Sequence, residues 1–195
     1  MANGTIINNS DGGGDHILLI NPTKSENVYI EDNEFYDWGR WVYSVDLGGN
    51  GERFYNYKFN RNKCIQSEKN VMSTGRYRGL GWIDFEARKC WTNLEVNDNE
   101  VSGLVGFAIN GNGRTFENVT LNNNIINYIE RSYRSAYPYF VNWYSVRDMK
   151  NFICENNTFN EPYSIVPSRY AIDGCRYINN VCSNALLYLH GVYGD

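Results

Sequence analysis

Apolar and polar positions alternate with a period of two over short stretches of this chain, and the stretches recur. One seven-residue template appears seven times: Asn, apolar, any, apolar, any, polar, Asn, with Gly in place of the first Asn in the last copy. It reads NGTIINN from Asn3, NVYIEDN from Asn27, NYKFNRN from Asn56, NLEVNDN from Asn93, NVTLNNN from Asn118, NFICENN from Asn151 and GCRYINN from Gly174. Successive copies start 24, 29, 37, 25, 33 and 23 residues apart, and the longer periods hold their extra residues in one part of the repeat. Alternation at a period of two marks a strand with one buried face. A second apolar stretch follows in most repeats: His16–Ile20, Trp41–Leu47, Leu80–Ala87, Leu104–Ile109, Tyr139–Val146 and Leu186–Leu189.

Set in register, the copies form columns. The closing Asn is Asn9, Asn33, Asn62, Asn99, Asn124, Asn157 and Asn180. The fourth position reads Ile6, Ile30, Phe59, Val96, Leu121, Cys154 and Tyr177, and Asp11, Phe35, Cys64, Val101, Ile126, Phe159 and Cys182 lie two residues past the closing Asn. Two or three short strands per repeat cannot bury their inner face alone, whereas stacked repeats bury it continuously. Asn suits the corners because it tolerates the left-handed backbone of a sharp turn. Its amide can also bridge to the repeats above and below as a ladder.

Composition narrows the picture. The 195 residues include 29 Asn, 18 Gly and 16 Tyr but only 6 Ala and 10 Leu, which disfavours helices and favours an all-β protein. Residues 1–195 are read as one domain, large enough to bury its own core. A net charge of −4 with mixed signs gives no basic field for nucleic acid. No run of about 18 apolar residues predicts membrane insertion. Five cysteines, an odd number without a CxxC pair, read as buried, reduced thiols rather than disulfides or zinc ligands.

The N-apolar-x-apolar-x-x-N repeat with its asparagine column resembles the pectate-lyase-like superfamily over essentially the whole chain. The resemblance implies a single-stranded right-handed parallel β-helix, a solenoid of about seven coils. Leucine-rich repeats, the competing solenoid, need a Leu-dominated template that is missing here. Seven coils at the strand spacing would make a prism about 34 Å long. The superfamily includes lyases, glycoside hydrolases, epimerases and phage tailspikes, so fold alone assigns no chemistry. With no capping helix signalled, the chain reads as a segment of a longer protein, most similar to a phage tailspike or appendage domain. That resemblance implies a parallel homotrimer on the virion, assembled in the host cytoplasm. The alternative is a secreted bacterial protein whose signal lies outside this segment.

Candidate chemistry lies in Leu80–Arg88, LGWIDFEAR. Alternation turns Ile83, Phe85 and Ala87 inward and Trp82, Asp84 and Glu86 outward, with the two carboxylates about 7 Å apart. Asp46, in WVYSVDLGG, falls near the same column. Carboxylates about 5–5.5 Å apart suit a retaining glycosidase and those about 6.5–9.5 Å apart an inverting one. Crowded carboxylates raise at least one pKa, setting an acid beside a base. Trp82 would serve as a sugar platform and Arg88 as a neighbouring cation. The insertion Asn127–Pro138 adds Arg131, Tyr133, Arg134 and Tyr137, and Trp143 lies in the next apolar stretch. Aromatic faces stack on sugars and Arg pairs with carboxylate or phosphate, although Tyr and Arg are equally at home in subunit contacts. The expected partner is a bacterial surface polysaccharide or a teichoic-acid-like glycan, bound and possibly hydrolysed. The competing readings are a lyase or epimerase, which would take calcium on Asp46, Asp84 and Glu86, and a non-catalytic binding or shaft module. No other metal or cofactor is called for. His16 and His190, far apart, leave no Ser-His-Asp triad in view.

Overall fold

The structure, a computed structural model, describes residues 5–7, 16–20, 25–38, 41–46, 53–66, 81–86, 90–104, 107–111, 115–128, 139–142, 148–160, 164–166, 171–174 and 176–183. Within them are twenty strands, numbered here in chain order, and no helix. The first sheet holds β1 (Thr5–Ile7), β4 (Glu34–Tyr36), β7 (Lys63–Ile65), β10 (Glu100–Leu104), β13 (Ile125–Tyr128), β16 (Thr158–Asn160) and β20 (Val181–Ser183). The second holds β2 (His16–Ile20), β5 (Trp41–Asp46), β8 (Gly81–Glu86), β11 (Phe107–Gly111), β14 (Tyr139–Asn142) and β17 (Ser164–Val166). The third holds β3 (Ser25–Glu31), β6 (Arg53–Asn60), β9 (Cys90–Glu95), β12 (Thr115–Asn122), β15 (Asp148–Glu155) and β18 (Ala171–Asp173), and β19 (Arg176–Ile178) also pairs with β15. From β1 to β18 the chain visits first, second and third sheet in unbroken rotation, and neighbours within a sheet run parallel, as in β5 beside β8 and β6 beside β9. The protein is therefore all-β and built of parallel sheets, a solenoid-like arrangement.

From the second copy on, each template copy turns a corner between the third and first sheets; the first copy instead supplies β1 of the first sheet, where Ile6 pairs with Phe35 and not with Ile30 as the repeat register predicts. The template's second position makes one inward column in the third sheet, Val28, Tyr57, Leu94, Val119 and Phe152, paired strand to strand in register. The position two past the closing Asn makes another in the first sheet, Phe35, Cys64, Val101, Ile126, Phe159 and Cys182. Apart from the half-buried Val28, and Cys182, whose side chain is not described, these residues are buried.

The corners place asparagine differently from the sequence expectation. The left-handed residue is the one before the closing Asn: Asp32, Arg61, Asp98, Asn123, Asn156 and Asn179 have φ of 51–59°. The closing Asn is thereby freed to turn its amide inward. Asn99 donates from Nδ2 to the Phe59 carbonyl and to Asn124 Oδ1, both at 2.9 Å, while its own Oδ1 accepts from the Asn62 backbone N–H at 2.9 Å. Asn62, Asn124 and Asn157 repeat the pattern, so five buried amides, from Asn33 to Asn157, form one inner ladder ending on the half-buried Asn180. A buried polar group is tolerated when its bonds are made, and here they are.

The core between the sheets is rich in rings. Trp91 stacks on Phe54 at 4.7 Å and meets Tyr57 and Phe85 edge-on at 5.0 Å each, with Phe116 stacked beyond at 6.0 Å. Such contacts add about 0.5–1.5 kcal/mol apiece beyond area burial. Cys64 and Cys154 are buried free thiols and Cys90 is a half-buried one, as the odd, unspaced cysteines led one to expect. No helix among the described residues is long and apolar enough to cross a membrane.

Candidate functional site

The second sheet carries the sequence-predicted carboxylates. β5 and β8 are neighbours, and their register pairs Ser44 with Asp84 and Asp46 with Glu86. On the other side of β8, Asp84 pairs with Asn110, which in turn pairs with Asn142. Asp46 and Glu86 are therefore lateral neighbours at the strand spacing of about 4.8 Å, and Asp84 lies about 6.7 Å from Glu86 along its strand. The sequence placed Asp46 near the Asp84–Glu86 column without fixing the partner; the register assigns it to Glu86. Ser44, Asp84, Asn110 and Asn142 form a polar row that the sequence reading did not pick out, because it aligned only the acidic positions.

Trp82 corrects the alternation argument. It was expected to face outward as a sugar platform, but it is completely buried, together with Ile83 and Phe85. Its indole meets the Phe59 ring edge-on at 5.5 Å. The physical reason is position: Trp82 is the second residue of β8, at the corner from the first sheet, where a side chain on either face can fold into the space between sheets. Val42, which precedes Tyr43 as Trp82 precedes Ile83 in register, is likewise buried. Two consecutive apolar residues at the start of both stretches were the available signal. Arg88, Arg131, Tyr133, Arg134, Tyr137 and Trp143 lie outside the described residues.

Beneath this face, burial pushes the Tyr43 hydroxyl well above the ordinary phenol range, aided by the nearby Tyr57, so it stays protonated. Burial likewise raises the Cys64 thiol far above its usual range, with the neighbouring Trp82 only partly opposing it. A thiol that does not ionise is no nucleophile. Among the described residues, no group of three or more His, Cys, Asp or Glu could hold a metal ion.

A second polar surface lies on the outer face of the third sheet. Tyr29, Lys58, Glu95 and Thr120 form one row in register across β3, β6, β9 and β12. Two residues earlier runs an outer ladder, in which Asn56 donates to Asn27, Asn93 to Asn56, Asn118 to Asn93 and Asn151 to Asn118, at 2.9–3.0 Å. These opening asparagines all have φ of 52–59°, and Gly174 takes the equivalent place at 65°. Between the ladder and Asn97 and Asn122 lies a groove of about 510 Å³. Within it Lys58 Nζ sits 3.1 Å from Glu95 and 5.8 Å from the centre of the Tyr29 ring. Alternation predicted polar residues here; that their amides join into a second ladder follows from the left-handed backbone at the opening Asn.

No protein-family model matches the chain, and no curated protein or solved structure is significantly similar to it.

Proposed function

We propose that the chain is a right-handed parallel β-helix of about seven coils, of phage tailspike or appendage type, that recognises a bacterial surface polysaccharide and hydrolyses it. The observation that carries the proposal is the pairing of Asp46 with Glu86, two register positions along β8 from Asp84. In this reading the three carboxylates crowd one another enough to keep one of them protonated, since like charges at close range disfavour joint ionisation. The protonated member would protonate the glycosidic oxygen as it leaves, while an ionised neighbour activates water or attacks the anomeric carbon. In this reading Asp84 and Glu86 are the acid and base, and Asp46 adjusts Glu86. The parallel homotrimer and virion location are carried by the resemblance to tailspikes. A rigid stack of parallel strands supports the reading, because it fixes backbone positions to the tolerance that acid–base catalysis needs.

The test is incubation with purified bacterial capsule and wall glycans, followed by mass analysis of fragments. The proposal expects depolymerisation that falls about a hundredfold or more in Asp84→Asn and Glu86→Gln, the usual worth of a general acid or base. Unchanged depolymerisation in both variants removes the assignment. An unsaturated product absorbing in the ultraviolet, or dependence on calcium, would mark elimination instead of hydrolysis.

A further inference from the structure

The groove on the third sheet has no part in the chemistry assigned to the second sheet, yet it is built like a binding surface. We infer that it is a separate, non-catalytic site for an uncharged polyhydroxylated chain, a neutral oligosaccharide laid along the stack.

Four observations lead there. First, the outer asparagine ladder presents a row of oriented amides. Each amide has two N–H donors and two acceptor lone pairs, and one of each is used within the ladder by Asn56, Asn93 and Asn118. The remaining donor and acceptor are held in place at every rung, so a ligand binds them without ordering them. Second, the acceptor series on the opposite side of the groove is incomplete. Asn60 Oδ1 accepts the Asn97 backbone N–H and Asn97 Oδ1 accepts that of Asn122, both at 2.9 Å. Asn122 lines the groove, and its Oδ1, just beneath the surface, has no protein hydrogen bond. An acceptor in that condition calls for a hydroxyl or amide donor. Third, Tyr29 stands 41% exposed at one end, offering an aromatic face to a pyranose ring. Fourth, the charges in the groove cancel: Lys58 is paired with Glu95. A polyanion would meet a carboxylate with no spare cation, whereas hydroxyls can accept from Lys58 and donate to Glu95. From β3 to β12 the groove crosses three strand spacings, about 14 Å, room for about three pyranose rings.

The experiment is a nuclear magnetic resonance titration of the ¹⁵N-labelled protein. Chitohexaose, cellohexaose and maltohexaose serve as neutral probes and oligogalacturonate as an anionic one. The inference expects saturable shifts of the side-chain amides of Asn56, Asn93, Asn118 and Asn122 with at least one neutral probe. Tyr29→Ala and Lys58→Gln, both at the surface, should each weaken that binding about tenfold, as loss of one stacking or charge-assisted contact does. Lys63→Gln, on the first sheet, should leave it unchanged. Asp84→Asn and Glu86→Gln should also leave it unchanged, whatever they do to depolymerisation, which keeps the two proposals separable. No saturable shift with any neutral probe, preference for oligogalacturonate at these amides, or shifts confined to the second sheet would each overturn it.

Discussion

The closing asparagine works as a repeated buried donor–acceptor unit. Asn99 sits mid-ladder, and truncating it strands the Phe59 carbonyl and the Asn62 backbone N–H inside the protein, while Asn124 Oδ1 keeps only the Asn99 backbone N–H at 3.1 Å. With each of the two buried orphans costing about 1–3 kcal/mol, Asn99→Ala should destabilise the protein by about 2–5 kcal/mol in urea unfolding; a loss below about 1 kcal/mol would mean the ladder is ornamental. The outside of the same corner behaves differently. Arg61 holds Asp32 by two hydrogen bonds of 2.7 and 2.9 Å, and the exposed Asp32 carboxyl is lowered chiefly by that contact. A pKa lowered by folding contributes stability above the ordinary carboxylate range and loses it as pH falls through the lowered value. Arg61→Gln should therefore return the Asp32 titration, followed by carbon NMR, toward its ordinary value while scarcely moving stability at neutral pH, the usual behaviour of exposed pairs. Among the cysteines, Cys64 should resist iodoacetamide in the folded state while the half-buried Cys90 is alkylated faster, read by peptide mass.

At the scale of the strand, the left-handed asparagine explains what alternation could and could not reveal. Phe54 and Tyr57, Trp91 and Leu94, Phe116 and Val119, and Met149 and Phe152 are all buried pairs three residues apart, not two. Between the members of each pair stands an opening Asn with positive φ, a residue that shifts the phase of the strand. A template beginning at that Asn sees Tyr57, Leu94 and Val119 but not the Phe54–Trp91–Phe116–Met149 column before it, which includes the buried Trp91. Trp91→Ala should cost about 3–5 kcal/mol, as deletion of a buried aromatic does. Asn93, with φ of 59°, should tolerate Gly better than Ala by about 1 kcal/mol, because a Cβ disfavours this backbone and Gly has none. Equal stabilities for Asn93→Gly and Asn93→Ala would refute the conformational explanation for the opening asparagine.

For the whole molecule, the repeat made the all-β, stacked character legible, because seven copies of one pattern admit few other arrangements. Five of the six second apolar stretches coincide with β2, β5, β8, β11 and β14; Leu186–Leu189 lies outside the described residues. The candidate site was legible only to the level of which strands carry Asp46, Asp84 and Glu86. Repeat lengths of 23 to 37 residues leave the lateral register of the second sheet free, since the extra residues fall between the template and that sheet. Trp82 shows the same limit from the other side: at a corner, the period of two no longer says which way a side chain goes.

That register is what the functional account rests on, and disulfide trapping measures it. Paired cysteines at Asp46 and Glu86 would have Cα atoms at about the 4.8 Å strand spacing, inside the range a disulfide spans. Cysteines at Asp46 and Asp84 would be offset by two residues, about 8 Å apart and beyond that range. Under mild oxidation, with peptide mass analysis, Asp46→Cys/Glu86→Cys should cross-link and Asp46→Cys/Asp84→Cys should not. Preferential cross-linking of the second pair would contradict the account.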